Sequence, residues 1–226
     1  MSELAPNHHA DYPQFGGVFG YLAGLTMVVG RGRDARLVAD LAAVGPADRV
    51  LDIGCGPGTA ARHAAGRGAS VIGVDPSKPM LQLARAITRI RQPSAPVSWR
   101  LGSAESMDVE EASITACWSL ASVHHWQDLD AGLDQVERAL APGGRFLAVE
   151  KRSEPDATGN AGHGWTAGQA QLFASMLTGR GFVDVEVSNH TIGHLVGKRR
   201  IVVVGGSRPP TEHVGGTSDT GADHRS

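Results

Sequence analysis

The chain has little cysteine, little lysine, almost no net charge and no long apolar run. Its two cysteines, Cys55 and Cys117, are too few for a disulfide framework and suit a reducing compartment, so the cytoplasm is the expected location. Lysine occurs only at Lys78, Lys151 and Lys198, and the formal net charge is −2. Arg31, Arg33 and Arg36, and the run Lys198-Arg199-Arg200, read as solvated faces, so no nucleic-acid partner is expected. The longest apolar stretch, Tyr21 to Gly30, is too short to span a membrane. The first ten residues have neither the basic start nor the apolar core of a secretory signal. His8 and His9 are adjacent rather than spaced for ligation, and no other His or Cys pattern suggests a metal. No internal repeat is visible.

What the chain does have is glycine, at 30 of 226 positions, and three of these define its most informative segment. Residues 50 to 58 read Val-Leu-Asp-Ile-Gly-Cys-Gly-Pro-Gly. Val50, Leu51 and Ile53 around an acid suit the end of a buried parallel strand, and a helix is expected to start near Thr59. Backbone without Cβ atoms reaches positive φ and lets a ligand approach closely, and the helix start offers free N–H groups. A dinucleotide fingerprint needs Gly-x-Gly-x-x-Gly. Here Gly54, Gly56 and Gly58 alternate, which makes a different turn.

Around this motif, helical and strand patterns alternate. Leu37, Val38, Leu41 and Val44 share a helical face. Ser70 to Val74 reads as a strand, and Met80, Leu83, Ala84 and Ile87 as a helix ended by Pro93 and Pro96. Val97 to Leu101 and Ile114 to Leu120 are two further strands. Leu129, Leu133, Val136 and Leu140 mark an amphipathic helix closed at Pro142-Gly143-Gly144, before a strand over Arg145 to Glu150. Such alternation predicts an α/β fold with a parallel sheet covered on both faces. Leu172, Phe173, Met176 and Leu177 fit one more helix, followed by strands over Phe182 to Val187 and Arg200 to Val204. Too little chain joins those two for a crossover helix, so they pair antiparallel or the second lies outside the sheet. The expected organisation is an arm or lid over 1–35, a main domain over 36–206 and a disordered tail over 207–226.

The segment 50 to 58 resembles motif I of the class I S-adenosylmethionine-dependent methyltransferases. Later motifs of that family follow in order. Val-Ile-Gly-Val-Asp-Pro-Ser (71 to 77) resembles the second strand and its terminal acid, and Arg-Leu-Gly-Ser-Ala-Glu-Ser-Met (100 to 107) the segment flanking the adenine. Ser-Val-His-His-Trp-Gln-Asp (122 to 128) is similar to the loop after strand four in the ubiquinone/menaquinone-type small-molecule branch, and 138 to 145 to the turn into strand five. The resemblance implies a Rossmann-like, doubly wound, mostly parallel sheet of seven strands with an antiparallel C-terminal strand. It implies S-adenosylmethionine as cofactor and S-adenosylhomocysteine as product. The cofactor-binding set it points to is Asp52, Gly54, Cys55, Gly56, Gly58, Asp75, Pro76, Ser103, Ala104, Glu105 and Ser119, with Asp75 on the ribose hydroxyls. Ser103 stands where the family usually has an aspartate against the adenine, and is the weaker acceptor.

Several residues carry two readings. Asp52 either braces the glycine turn or orients the cofactor ammonium, and Glu105 is either a solvated acid or a cofactor contact. His124 and His125 are the candidate catalytic residues, because imidazole titrates near neutrality and their loop leaves the carboxyl edge of the sheet. The alternative is loop packing, with Trp126 inserted behind them. Glu150, at the same edge, reads as structural rather than catalytic. Tyr12, Phe15, Phe19 and Tyr21 form either a lid or the apolar face of their own helix. The expected activity is methyl transfer to a small organic acceptor by direct displacement, where alignment and exclusion of water do most of the work. The rivals are a non-catalytic S-adenosylmethionine-binding protein, a nicotinamide-dependent oxidoreductase, and an RNA- or protein-modifying enzyme. The Asp-Pro-Pro-Tyr tetrad of adenine-N6 enzymes and the Pro-Cys nucleophile of cytosine-C5 enzymes are both absent.

Overall fold

A computed structural model describes residues 32–157, 164–194 and 197–211. The calls on Tyr12, Phe15, Phe19 and Tyr21, and on residues 212–226 of the tail, lie outside the described residues. Seven strands, β1 (Arg49–Ile53), β2 (Ser70–Asp75), β3 (Val97–Leu101), β4 (Ile114–Leu120), β5 (Leu140–Lys151), β6 (Val183–His194) and β7 (Gly197–Ser207), form one sheet in the order β3-β2-β1-β4-β5-β7-β6. The five strands from β3 to β5 pair in parallel, and β7 runs antiparallel to both β5 and β6. The last two strands are therefore a hairpin, as the short connection requires.

Among the described residues five α-helices cover this sheet: α1 (Gly32–Leu41), α2 (Thr59–Gly66), α3 (Lys78–Arg91), α4 (Leu129–Ala139) and α5 (Ala167–Gly179). Side chains alternate across a strand, so each sheet face has its own core. On one face Ala35 and Val38 of α1 and Ala61 and Ala64 of α2 pack on Val50, Val71, Trp118 and Val203. On the other, Leu133 and Val136 of α4 and Phe173 and Leu177 of α5 pack on Leu51, Ile53, Phe146 and Val204. Phe173 also meets the Trp165 and Phe146 rings, at centroid distances of 4.7 and 6.4 Å. Burying each such side chain contributes about 1.5–3 kcal/mol.

Two local expectations need correcting. Leu41 is exposed, and the buried face of the first helix is Ala35, Val38, Ala39 and, just past its end, Ala42. Alanine is apolar enough to pack at i, i+3, i+4 and i+7, but it is easily passed over when bulky residues are used to draw the stripe. The second correction concerns Pro142-Gly143-Gly144, which does not separate helix from strand. Leu140 already pairs with Ile114, residues 141–144 loop out, and Arg145 resumes the ladder against Ala116. The loop is held by Arg208, whose carbonyl accepts from Gly143 N at 3.0 Å and whose amide donates to Gly144 O at 2.8 Å. Backbone contacts thus extend to Arg208, and the helix that precedes β1 spans Gly32–Leu41.

Candidate active site

The carboxyl ends of β1, β2, β4 and β5 lie side by side, with Ile53 in register with both Val74 and Ser119. Ligands of open parallel sheets bind at this edge. Here β1 gives way to the glycine loop, whose first two amides, of Gly54 and Cys55, both donate to Val74 O at 2.9 and 3.0 Å. Gly54, Gly56 and Gly58 have φ of 66°, 52° and 75°, so all three adopt the left-handed conformation that favours glycine. Two of them also need the space. A Cβ on Gly54 would overlap the Ser122 side chain, and one on Gly58 would overlap the Trp99 ring. Neither Ser122 nor Trp99 could be recognised from sequence as the neighbour that demands glycine.

Asp52 is buried beneath this loop, where its Oδ2 accepts from Ala61 N in the first turn of α2 at 3.0 Å. Of its two readings, bracing the turn is the one its contacts describe. Burial pushes its carboxyl up to about 7; the Trp118 indole and the Ala61 amide pull the other way, and the Asp75 charge adds to the rise. Between the ordinary carboxylate value of 3.8 and about 7, the folded chain holds a proton that the unfolded chain has released. Stability from this group therefore falls as pH rises through that window. Asp52→Asn should melt at a higher temperature than wild type at pH 8, and the gap should close by pH 4. A gap that does not change with pH would show that this carboxyl is not perturbed.

Asp75 closes the loop from β2. Its Oδ2 accepts from Gly56 N at 2.7 Å, and its Oδ1 from Ser77 N at 2.8 Å. Burial raises its pKa, against the two amides. Cys55 is buried, and burial, with the charges of Asp52 and Asp75, pushes its thiol up. Pro76 is exposed beside Ser77, which accepts from Met80 N to cap α3.

The 103–106 turn is tied to the same edge by Gly102 N, which donates to Asp75 O at 3.3 Å. Ala104 is buried there. Glu105 accepts from the Gln127 and Asp128 amides at 2.7 and 3.3 Å, bracing the turn against the loop after β4. Burial pushes its carboxyl up, but Ser103 and neighbouring amides outweigh this and leave it below its ordinary value. Ser119 is fully enclosed in β4, and its hydroxyl has no hydrogen-bond partner among the described residues.

The two histidines separate. Both belong to a short 3-10 turn, Val123–His125, and their rings are 4.0 Å apart. His125 is exposed, whereas His124 is largely buried and its Nδ1 lies 2.8 Å from Glu150 Oε2. Trp126 is buried and packs against Gly132 of α4. Among the described residues no group of His, Cys, Asp and Glu could hold a metal ion, and no helix is long and apolar enough to cross a membrane.

Residues 51–148 match the family model described as a methyltransferase domain. Similar curated proteins include a malonyl-[acyl-carrier protein] O-methyltransferase of Erwinia billingiae, 33% identical over 44% of this chain and 37% of that protein. A ubiquinone/menaquinone biosynthesis C-methyltransferase of Rubrivivax gelatinosus is 31% identical over 49% of this chain and 42% of its own length. The chain thus spans about two fifths of the length of these relatives. Among solved structures, a phosphoethanolamine N-methyltransferase of Haemonchus contortus in complex with S-adenosylmethionine shares the fold, with a TM-score of 0.70 and 18% identity over 89% of this chain and 59% of that one. By its sheet order, its glycine loop and the methyltransferase domain matched over residues 51–148, the chain is similar to the class I S-adenosylmethionine-dependent methyltransferases.

Proposed function

We propose that the protein moves the methyl group of S-adenosylmethionine to a small organic acceptor by direct displacement. The observation that carries this reading is the glycine loop: three consecutive alternate residues in the left-handed conformation, closed by a carboxylate at the end of the neighbouring strand. The loop can present amides and a bare backbone to the amino-acid end of the cofactor. Asp75 spends one contact per oxygen on an amide, and a carboxylate oxygen accepts more than one, so it can also receive ribose hydroxyls. Ser103 and Ala104 stand on the adenine side, with Glu105 holding their turn in place. The sulfonium brings the methyl group ready to transfer, and the chain's part is to align the acceptor and keep water out. Residues 12–30 are the proposed source of the acceptor's cover.

Calorimetry on the full chain tests the reading. S-adenosylhomocysteine should bind, and NADH should bind far more weakly, because the dinucleotide turn needs its third glycine one residue later. NADH binding as tight as S-adenosylhomocysteine would overturn it.

A further inference from the structure

The two edges of the sheet are finished differently. At one, β3 is 5 residues long and the Arg85 guanidinium donates to Trp99 O at 2.9 Å. At the other, β6 runs for 12 residues, and among the described residues only β7 pairs with it. Residues of an antiparallel strand alternate between those bonded to the neighbour and those whose N–H and C=O turn outward. Gly193 is of the outward kind, since the Arg33 guanidinium takes its carbonyl, and alternation puts Thr191, Asn189 and Val187 in the same set. Beyond Val187 a bulge between Val183 and Glu186 breaks the ladder. The open stretch is therefore 187–191, Val-Ser-Asn-His-Thr. It contains no proline, lysine or bulge, the devices that normally blunt a strand edge.

What flanks this stretch is complementary to itself. Asp184 and Glu186 are exposed at one end, and Arg33 and Lys198 at the other, where Lys198 lies opposite Gly193. The helix over this edge is α5, which packs on β6 and β7 and buries Phe173 and Leu177. Among the five α-helices it alone carries no charged side chain. Arg180, at its C-cap, reaches Asp130, Asp134 and Glu137 on the α4 side. The row about half a turn round, Ala167, Gln171, Ala174 and Thr178, therefore faces away from α4 and toward the open edge.

We propose that the protein forms a two-fold dimer in which β6 of one copy pairs antiparallel with β6 of a second, making one continuous sheet. With Asn189 on the axis, Val187 pairs with Thr191 of the second copy, and each outward pair exchanges both backbone hydrogen bonds. An axis normal to the sheet keeps both α5 helices on the same face. Paired strands lie about 4.8 Å apart and packed helices about 8–10 Å, so the two uncharged rows come together above the seam. The same rotation sets Glu186 opposite Ile192 of the second copy, next to that copy's Gly193 and the Arg33 guanidinium that holds it. Acid thus faces base at both ends of the seam. An unrelated peptide strand would satisfy the backbone alone. A second copy also brings the charges reversed end for end and a helix to cover the neutral row of α5.

Sedimentation of the full chain, with exchange of its backbone amides, tests this. Wild type should sediment as a dimer at micromolar concentration, with the Val187, Asn189 and Thr191 amides slow to exchange. Asn189→Pro removes one outward N–H and no bond to β7, a place where an edge strand tolerates proline, and should give a monomer with native circular dichroism. Glu186→Arg and Arg33→Glu should each raise the dimer dissociation constant about 10–100-fold, and the two together should recover most of the loss. If Asn189→Pro fails to fold, this charge exchange decides. A wild-type monomer would overturn the proposal, and slow exchange of the three amides in that monomer would show that the edge is covered from within the chain. A dimer that survives Asn189→Pro and both charge reversals would overturn it too, by placing the seam elsewhere.

Discussion

Gly58→Ala should lower the melting temperature by roughly 5–20 °C and remove measurable binding of S-adenosylhomocysteine. Two penalties act together. At φ 75° an L-residue is strained by about 1–2 kcal/mol, and the added methyl overlaps the Trp99 ring, where overpacking costs about 1–3 kcal/mol. The ring cannot simply withdraw, because its adjoining Cζ3 and Cε3 atoms lie against Gly73 of β2, where the Cys55 sulfur is also close. Something must shift, and Gly58 is both the last residue of the loop and the N-cap of α2. A second substitution separates the penalties. Trp99→Leu in the Gly58→Ala background should relieve the overlap and leave the backbone strain, so the pair should lose less than the sum of the two single changes. A Gly58→Ala protein that melts with wild type would show that the loop does not need glycine there.

Asp75→Ala should weaken S-adenosylhomocysteine binding about ten- to a hundredfold, the loss expected when a charged hydrogen-bond acceptor worth about 1.5–3 kcal/mol is removed. Part of that loss comes through the protein itself. Without the carboxylate the Gly56 and Ser77 amides lose the partners that hold the loop closed and the next helix capped. Asp75→Asn keeps an acceptor oxygen for one of the two amides and should fall between wild type and the alanine variant. Calorimetry with circular dichroism as the fold control measures both effects. An alanine variant with native circular dichroism and unchanged affinity would refute the ribose role.

Much of this architecture was legible because a buried parallel sheet imposes a simple code. Both β3 and β4 run over the residues that their apolar pattern marks, and the glycines sit where the first strand turns into helix. The hairpin of β6 and β7 followed from a length argument, since no crossover fits between them. What escaped were features made by meeting rather than by pattern. The overlap of Gly54 with Ser122, and of Gly58 with Trp99, joins residues far apart in the chain. Glu150 read as structural because a strand end reveals its sheet edge but not which turn will descend on it. His124 and His125 looked equivalent, yet a 3-10 turn rotates successive residues by about a third of a circle, so only one ring reaches the buried acid.

The position of β7 has a consequence for how the protein is made. It follows β6 in the chain, but it lies between β5 and β6 and is the only sheet neighbour of β6 among the described residues. While the ribosome is still adding Gly197–Ser207, β5 has one bare edge and β6 has nothing to pair with. Sheet closure therefore waits until β7 has been made and depends on contacts between segments distant in sequence, the slow kind to form. Until then the nascent chain carries an unpaired strand edge beside the future site, a state in which other chains can compete for the place that β7 will fill.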